Sequence, residues 1–444
     1  MKDTSVAPEQ AAAPQSNILI KIGFIIVLML LLLIPLVWIQ NLISERENLQ
    51  EQVKNDITQS WGPVQTMTGP VLCIPYYTTE VTGKSIEKTE HVLYCSPEQL
   101  HIHADIHTEQ RKKGIFSAVV YHSMDTLKGT FSLAEIPLDP KITYQWEKAI
   151  LITGLTDPTC ITQSVATLWN DTPVRANIGV KYEGFVSKGF YSPVNVRPDQ
   201  KEYAFSITAP FRGSGTLQYL PVGKSSQLSV QSDWPSPSFS GKQLPVQKAI
   251  NTGGFTAQWS SSEFNRPVPD YWNDLEIRAS EHPASMVISL VQTASEYQQN
   301  MRSAKYGFLV ISLSFMLFFF YEVMIKVRIH PVQYSMIGLS LVIFYALLLS
   351  FTEHFGFRTA YITAYIAVVS LLAMYVYAIL GTMKATLSIV GLYTLLYAYI
   401  YVILQLEDFA LLVGSLGVFF VLALVMFLSR KIDWYRLSSR QAVR

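Results

Sequence analysis

Two apolar regions, one near the start of the chain and one filling its last third, constrain the fold more than any other feature. The first covers residues 18–39 and is interrupted only by Lys21, Gly23 and Pro35. At 1.5 Å per residue it can cross a hydrocarbon core of about 30 Å. It is too long for the core of a signal peptide, and no small-residue cleavage site follows it. We therefore predict an uncleaved signal anchor, transmembrane helix 1, preceded by a disordered tail at residues 1–17.

Five further apolar segments follow residue 305 and predict an α-helical membrane bundle of six transmembrane helices in all. Half of the 444 residues are hydrophobic and only 15% are charged, which is typical of membrane proteins. In lipid a helix satisfies its own backbone polar groups, so few alternatives to helix remain. The five predicted helices are about 306–325, 334–352, 359–380, 385–405 and 409–428.

The distribution of lysine and arginine between the loops predicts the orientation in the membrane. With the N-terminus inside, Lys326, Arg328 and Lys384 fall in inside loops, and the basic tail at residues 429–444 is also inside. The outside loops then contain Arg358 as their single cation. Cations concentrate on the cytoplasmic side of inner-membrane proteins. Both termini are therefore predicted to be cytoplasmic.

The polar stretch between the apolar regions, residues 40–305, is predicted to be a large, mainly β periplasmic domain. Apolar residues recur at helical spacing to about Ser60, so the first helix should leave the bilayer and end at Gly62–Pro63. Beyond it, short alternating runs such as Phe255–Trp259 are separated by turn residues, which favours strands. An antiparallel sandwich or two packed sheets fits this pattern, in one β domain or two. Helical periodicity is suggested only near Thr162–Trp169.

Nine phrases of the sequence, in this order and spacing, resemble the CreD family of bacterial inner-membrane proteins, named for cell envelope integrity. They are SER (Ser44–Arg46), WGPVQTMTGPVL (Trp61–Leu72), RKKGI (Arg111–Ile115), PFRGSGTLQYLPVG (Pro210–Gly223), SDWPSPSFSG (Ser232–Gly241), GGFTAQW (Gly253–Trp259), KYGFLVISLSFMLFFFYE (Lys305–Glu322), IHPVQYSMIGLSLVIFYALLLSFTEH (Ile329–His354) and DWY (Asp433–Tyr435).

The resemblance covers essentially the whole chain after residue 17. It implies an inner-membrane location, a periplasmic domain and production under a two-component regulatory system. It also implies an association with envelope stress, colicin tolerance and the response to β-lactams. The family supplies no agreed catalytic residues, so the resemblance assigns none here.

Four polar side chains alternate with apolar ones at His101, His103, Asp105 and His107. In a strand they share one face, because side chains alternate with a period of two. That face could hold Zn²⁺ or Cu²⁺. The simpler interpretation, which we favour, is a solvated strand face backed by a hydrophobic one.

Two glycine- or proline-rich segments are candidate binding loops. Pro210–Thr216 places glycines beside a cation but lacks phosphate-loop spacing, so a tight β-turn is favoured. Ser214 within it is not in a nucleophile elbow. The aromatic side chains of Ser232–Gly241 could bind a peptide or glycan, but a rigid crossover packed on the sheet is favoured.

Ionisable groups in the predicted membrane helices are costly, so each is a candidate functional residue. Glu322 lies near the inner end of the second helix, four residues before Lys326, in the favourable order for an ion pair. An interfacial pair is favoured there, and a polar contact within the bundle or a substrate path is the alternative. Glu353 and His354 are expected in a loop at the outer end of the third helix.

Three cysteines, Cys73, Cys95 and Cys160, all lie in the predicted exported domain. Disulfides persist outside the cytoplasm, and an odd number allows at most one intrachain bridge. Either the three are buried thiols or one bridge forms, in which case Cys73–Cys95 closes the shorter loop. No metal-finger or CxxC spacing is present.

These observations favour a non-enzymatic inner-membrane protein that supports cell envelope integrity and the envelope-stress response, without a cofactor. The alternative is a membrane transporter, or a protein handling lipid or envelope precursors, that uses the C-terminal helix bundle. A periplasmic hydrolase on a membrane anchor is a third possibility. A net charge of +1 without a basic patch excludes a nucleic-acid partner. The expected partner is the lipid bilayer, other envelope proteins remain open, and no small-molecule substrate is assigned.

Overall fold

The chain divides into two compact units in the computed structural model. One unit combines Met1–Leu49 with Ala294–Arg444, and the other is Gln50–Thr293. The structure describes residues 18–82, 85–134, 136, 142–182, 184–266, 268–273, 285–290, 296–325, 329–406 and 409–430.

The first unit is helical. The helices are α1 (Ile18–Trp61, whose last residues belong to the second unit), α2 (Glu296–Lys305), α3 (Gly307–Ile325), α4 (Pro331–Phe355), α5 (Phe357–Leu380), α6 (Met383–Gln405) and α7 (Ala410–Ser429). Among the described residues, five segments are long and apolar enough to cross a membrane: Lys21–Trp61, Glu296–Val323, Pro331–Phe355, Phe357–Leu380 and Met383–Gln405. The sequence predicts six such helices, and the sixth predicted segment coincides with the 20-residue α7.

The boundary between α4 and α5 is shorter than predicted. Gly356 alone separates the two helices, and its φ of +76° is a conformation that glycine adopts without the strain other residues would meet. Its backbone N–H still donates to the carbonyl of Thr352 at 3.2 Å. The prediction that Glu353 and His354 lie in a loop is therefore wrong. Both belong to the last turn of α4, because one glycine suffices for the break.

Close packing between α1 and its neighbours depends on two glycines. A Cβ atom on Gly338 of α4 would lie 2.2 Å from Cδ1 of Leu32 and 2.8 Å from Cζ of Phe315. A Cβ atom on Gly307 of α3 would lie 2.7 Å from Cδ1 of Leu36. Small residues let membrane helices approach this closely, and van der Waals contact is then a main source of association. The leucine side chains of α1 thus fill the space that a larger side chain at position 307 or 338 would need.

The second unit contains two β-sheets. Its described strands are β1 (Gln65–Thr82), β2 (Ser85–Cys95), β3 (Gln99–Lys113), β4 (Phe116–Ser132), β5 (Ile142–Tyr144), β6 (Ile150–Leu155), β7 (Ala166–Trp169), β8 (Thr172–Arg175), β9 (Asn177–Ile178), β10 (Gly189–Pro193), β11 (Glu202–Ser214), β12 (Thr216–Leu220), β13 (Ser225–Ser232), β14 (Ser238–Gly241), β15 (Gln247–Asn251), β16 (Gly254–Ser261), β17 (Tyr271–Asn273) and β18 (Met286–Ser289). The ten-stranded sheet has the order β14-β18-β12-β1-β6-β10-β9, with β2 and β5 also pairing with β1, and β17 with β2. The eight-stranded sheet has the order β15-β16-β13-β3-β4-β11-β7-β8.

One hydrophobic core lies between the two sheets. It includes Leu72 and Ile74 from β1 of the larger sheet and Ile102 and Ile106 from β3 of the smaller one, each at most 4% exposed. A shared core and a single compact unit resolve the open choice in favour of one β domain. The two-sheet prediction is confirmed, but pairing is not wholly antiparallel. Strand β1 pairs in parallel with β12, and β3 with β13.

The suggestion of helix near Thr162–Trp169 is wrong. Residues Ala166–Trp169 form β7, which pairs with β11, and alternate side chains are exposed and buried. The indole of Trp169 stacks on the ring of Tyr203 at 5.1 Å and lies 6.0 Å from that of Phe131. Burial in a sheet core overrides weak local helical periodicity, because only a period of two directs Thr167 and Trp169 to the same face.

The three cysteines are free, buried thiols. In the β1–β2 pair, Cys73 lies opposite Tyr94, while Cys95 lies opposite Leu72. Cys73 packs in a cluster on the outer side of the larger sheet and Cys95 in the core between the sheets. The candidate bridge Cys73–Cys95 therefore does not form, because adjacent register positions direct the two side chains to opposite faces.

A buried carboxyl group lies within the sandwich. Asp125 of β4 has no solvent exposure, and its neighbours in register are Ala104 and Ala209. The hydroxyl of Ser123 donates to it at 2.5 Å and that of Tyr219 at 2.6 Å. Burial raises the pKa of Asp125 to about 7, although these two hydrogen bonds act in the opposite direction by stabilising the carboxylate.

Candidate functional site

Glu322, the intramembrane carboxylate singled out from the sequence, is held by groups from two other parts of the helical unit. The ammonium group of Lys21 on α1 forms an ion pair with its Oε1 atom. The hydroxyl of Tyr334 on α4 donates to Oε2 at 3.0 Å. Lys21 also donates to the carbonyl of Ile329 at 2.9 Å. The Lys21 and Glu322 side chains are 16% and 13% exposed, so the pair is mostly enclosed by protein.

The start of α4 explains why Tyr334 and Ile329 are so placed. His330 is the N-cap residue, and its Nδ1 accepts from the backbone N–H of Val332 at 3.2 Å. The side-chain oxygen of Gln333 accepts in return from the backbone N–H of His330 at 2.8 Å. Pro331 occupies the first turn, where no backbone donor is needed. This capping box fixes the helix start, so Tyr334 emerges in the first turn of α4 facing Glu322.

A second ion pair lies at the other end of α4. The Nε atom of Arg46 on α1 is 3.6 Å from Oε1 of Glu353, and the hydroxyl of Tyr297 on α2 donates to the same oxygen at 3.2 Å. The Glu353 side chain is 14% exposed. This carboxylate, which the sequence assigned to a loop, thus connects α1, α2 and α4.

The two ion pairs lie far apart along α1. Lys21 and Arg46 are separated by about 37 Å of helix at 1.5 Å per residue. A hydrocarbon core is about 30 Å thick, so the two pairs cannot both lie deep within it. Each instead lies towards one end of the bundle, where α1 is joined to α3 or to α4. In each case a tyrosine hydroxyl adds a hydrogen bond to the carboxylate.

Comparison with known proteins places this chain among inner-membrane proteins. The family model described as inner membrane protein CreD matches residues 17–435. The inner membrane protein CreD of Escherichia coli (strain K12) is 32% identical over 420 residues, which cover 92% of this chain and 92% of that protein. The chain belongs to the CreD family. The resemblance carried by the nine sequence phrases is therefore confirmed, and the CreD family is not a known class of enzyme.

The solved structures that match part of this CreD family member are only weakly similar to it. The M1 zinc metallopeptidase from Deinococcus radiodurans is 9% identical, with 44% of this chain and 41% of that chain covered and a TM-score of 0.21. A mutant of that enzyme bound to a Tyr-Ser-Ala substrate is 10% identical, with 44% and 42% covered and the same TM-score. At this TM-score neither fold nor activity can be transferred.

The polar face of β3 in this CreD family member does not converge on a single point. Successive side chains on one face of a strand are about 6.6 Å apart, too far for four of them to share one ion. The Nε2 atom of His107 lies 3.5 Å from Oδ2 of Asp105, and its Nδ1 atom lies 3.9 Å from Oδ2 of Asp233. His103 lies 2.9 Å from the hydroxyl of Ser229. Within the part of the chain that the structure describes, no group of three His, Cys, Asp or Glu residues could hold a metal ion.

The two candidate binding loops have structural roles. In Pro210–Thr216 the strand β11 continues to Ser214, and the turn consists of Gly215 alone, with a φ of +66°. Ser214 is buried and donates to the carbonyl of Gly62. The segment Ser232–Gly241 crosses from β13 of one sheet to β14 of the other, and Phe239 packs 5.5 Å from the ring of Trp259. The favoured crossover interpretation is confirmed, and the predicted turn is reduced to one residue.

Sequence reasoning identified Glu322 but missed the cation that pairs with it. Lys326, the predicted partner, lies outside the described residues, and the observed partner is Lys21. One signal was available, since Lys21 interrupts an otherwise apolar run and is itself costly in a membrane helix. The predicted topology also places Lys21 and Glu322 on the same, cytoplasmic side. Two opposite charges at one end of a bundle are expected to pair.

Proposed function

We propose that this CreD family member is a non-enzymatic inner-membrane protein that supports cell envelope integrity and the envelope-stress response. Its helical unit would act as a fixed anchor for the β domain. The observation that supports this most is the neutralisation of Glu322 by Lys21, repeated by Glu353 and Arg46. Each ion pair joins α1 to another helix of the unit, and such links between helices are what an anchor requires.

Ionisable groups within a membrane bundle often mark a path for cargo or protons. Both oxygens of Glu322 already have partners in Lys21 and Tyr334. The glycines that bring α1 close to α3 and α4 also favour a packed bundle over an open path. No observation here therefore favours transport, and we propose a structural role for Glu322.

We further propose six transmembrane helices, with both termini cytoplasmic and residues 40–305 periplasmic. Five apolar helices of sufficient length, together with α7, support this number. At 1.5 Å per residue, the 20 residues of α7 reach about 30 Å, enough for one crossing. The excess of Lys and Arg in the proposed cytoplasmic loops and C-terminal tail supports the orientation.

A charge swap tests whether Glu322 is structural. Lys21→Glu and Glu322→Lys, made singly, leave two like charges facing each other in a mostly enclosed site. Each single variant should lose on the order of 2 kcal/mol or more and accumulate poorly in the membrane. The double variant restores opposite charges, and a lysine at position 322 can donate to the hydroxyl oxygen of Tyr334. Part of the lost abundance and of the protection of a deletion strain against detergent or β-lactam should then return. Recovery is incomplete because a glutamate at position 21 cannot donate to the carbonyl of Ile329.

The control is an exposed ion pair on the β domain. Lys224 and Glu98 lie 3.5 Å apart with side chains 33% and 46% exposed, so swapping them should change little. A double Lys21/Glu322 swap that is abundant and inserted, yet gives no protection, would contradict a purely structural role. Protein carrying Glu322 in its native position would then be required for something other than assembly.

A further inference from the structure

The outward face of the eight-stranded sheet contains a cavity of about 690 Å³. It crosses five strands, β4, β3, β13, β16 and β15, which at about 4.8 Å between strands gives a length of roughly 19 Å. Pockets that bind small molecules usually measure about 300–1,000 Å³. We call this cavity the sheet trough. Its polar lining includes His101, His103, Lys128, Gln227, Ser229 and Gln258.

The strand register arranges these side chains in two rows across the trough. In one row, His101 lies between Lys128 and Gln227. In the next, His103 is opposite Ser229, which is opposite Gln258. Neighbouring strands lie about 4.8 Å apart, so directly opposed side chains on one face are within reach of each other. The Nδ1 atom of His103 lies 2.9 Å from the hydroxyl oxygen of Ser229, and each row is a continuous line of hydrogen-bonding groups.

The floor beneath these rows is fixed by the sandwich core. Ile102, Leu228 and Trp259 alternate with the trough residues along their strands and are 4%, 2% and 2% exposed. The indole N–H of Trp259 also donates to the carbonyl of Gln243 at 3.2 Å. The backbone from which the trough side chains project is therefore already ordered before a ligand binds, which lowers the cost of binding.

The charged side chain in the trough is a lysine. Among the residues that the structure describes, the lining contains Lys128 and two histidines and no Asp or Glu residue. Two carboxylates, Asp105 on β3 and Asp233 just after β13, flank His107 outside the trough, beside a separate cavity of about 320 Å³. The trough thus offers one ammonium group together with imidazoles, amides and hydroxyls, which donate and accept hydrogen bonds.

We propose that the sheet trough binds an acidic saccharide, a short sugar chain bearing carboxylate or phosphate groups. The rows of amides and hydroxyls match a ligand with many hydroxyl groups. Lys128 matches its negative charge, and the two imidazoles can add hydrogen bonds to its acidic groups. A trough five strands wide fits an extended oligomer better than a single small anion. A peptide is less well matched, because Val246 is the main exposed apolar side chain at the site and peptides are usually held by apolar anchors. This site goes beyond the proposed anchoring role and does not depend on it.

The test is calorimetric titration of the full-length protein in nanodiscs of zwitterionic lipid. Four probes are compared: trigalacturonic acid, neutral maltotriose, triaspartate and inorganic phosphate. Trigalacturonic acid should bind, maltotriose should bind at least about tenfold more weakly, and added salt should weaken the acidic probe. Lys128→Gln should reduce its affinity about tenfold, since it removes one charge-assisted contact. A combined His101→Ala and His103→Ala variant should do the same.

The matched control is His107→Gln, on the same face of the same strand but outside the trough. It should leave the affinity unchanged, and the unfolding transitions of all variants should match that of the parent protein. The proposal is overturned if trigalacturonic acid fails to bind at millimolar concentration, or if Lys128→Gln binds it as well as the parent does. Equal binding of triaspartate would assign the trough to acidic peptides instead, and full competition by phosphate would reduce it to an anion site. Because the readout is binding alone, these outcomes are independent of any loss of envelope protection.

Discussion

The Asp125→Asn substitution removes the buried carboxyl group and should change how the stability of the β domain depends on pH. The side chain is fully buried, and burial raises its pKa to about 7 from an ordinary value of 3.8. Between these two values the folded chain keeps a proton that the unfolded chain releases. The free energy of unfolding therefore falls as the pH rises through this interval, and it levels off above about pH 7.

The size of the effect follows from the same two values. Each unit of pKa difference is worth about 1.36 kcal/mol, so the interval corresponds to roughly 4 kcal/mol. Asn does not ionise, and its single carbonyl oxygen can accept from one of the two hydroxyls, of Ser123 or of Tyr219, while its NH2 group takes the place of the other carboxylate oxygen. Its amide group adds donors to a closed site, which costs about 1–3 kcal/mol. The variant should thus be the less stable protein near pH 4 and the more stable one near pH 8, by roughly 2 kcal/mol in each case.

Urea unfolding of the full-length protein in detergent micelles, followed by tryptophan fluorescence, measures this difference. Trp169, Trp259 and Trp272 are all buried in the β domain and report on its unfolding. Asp105→Asn is the control, because that carboxyl is on the adjacent strand but faces outward. A parent protein whose stability is the same at pH 4 and 8, or a variant that declines in parallel with it, would refute the reasoning.

Three further predictions test other features. Alkaline phosphatase fused after Thr82 should be active and a fusion at Arg444 inactive, and the reverse pattern would contradict the proposed topology. Gly338→Ala should lower the unfolding temperature of the bundle, at a cost of about 1–3 kcal/mol, because the added methyl group would lie 2.2 Å from a leucine of α1. Gly391→Ala, with open space around it, should have no such effect, and equal behaviour of the two variants would argue against tight packing. The Cys95 thiol, whose pKa burial raises to about 12, should react with maleimide only after unfolding, and labelling of the folded protein would contradict its burial.

The class of each unit could be predicted from sequence, since it depends on local periodicity. Continuous apolar runs predict helices, and the alternation within Phe255–Trp259 correctly predicts β16, where buried and exposed residues alternate. The strand pairing could not be predicted. Strand β3 pairs in parallel with β13, more than a hundred residues later, and nothing within either strand specifies its partner. Pairing is decided by the packing of the whole core.

At the candidate site, too, the residue could be predicted from its own helix but its partners on other helices could not. The cost of a carboxylate in a membrane helix identified Glu322 from its own surroundings. The rule for pairs four residues apart then pointed to Lys326, because it considers only the same helix. The observed partners come from α1 and α4, and their positions depend on how three helices pack. The partner of Glu353 could not be predicted for a related reason, since Arg46 lies on a helix far away in sequence.

The link between Lys21 and Glu322 also has a consequence for biogenesis. The two residues are 301 positions apart, and chains are synthesised from the N-terminus at about 5–20 residues per second. Roughly 15–60 s therefore pass between the synthesis of Lys21 and that of Glu322. During this interval the long side chain of Lys21 can extend towards the lipid headgroups. The ion pair can form only after the whole β domain has been translated. Losing it should therefore stall assembly of the later helices onto the first, while leaving insertion of the first helix intact.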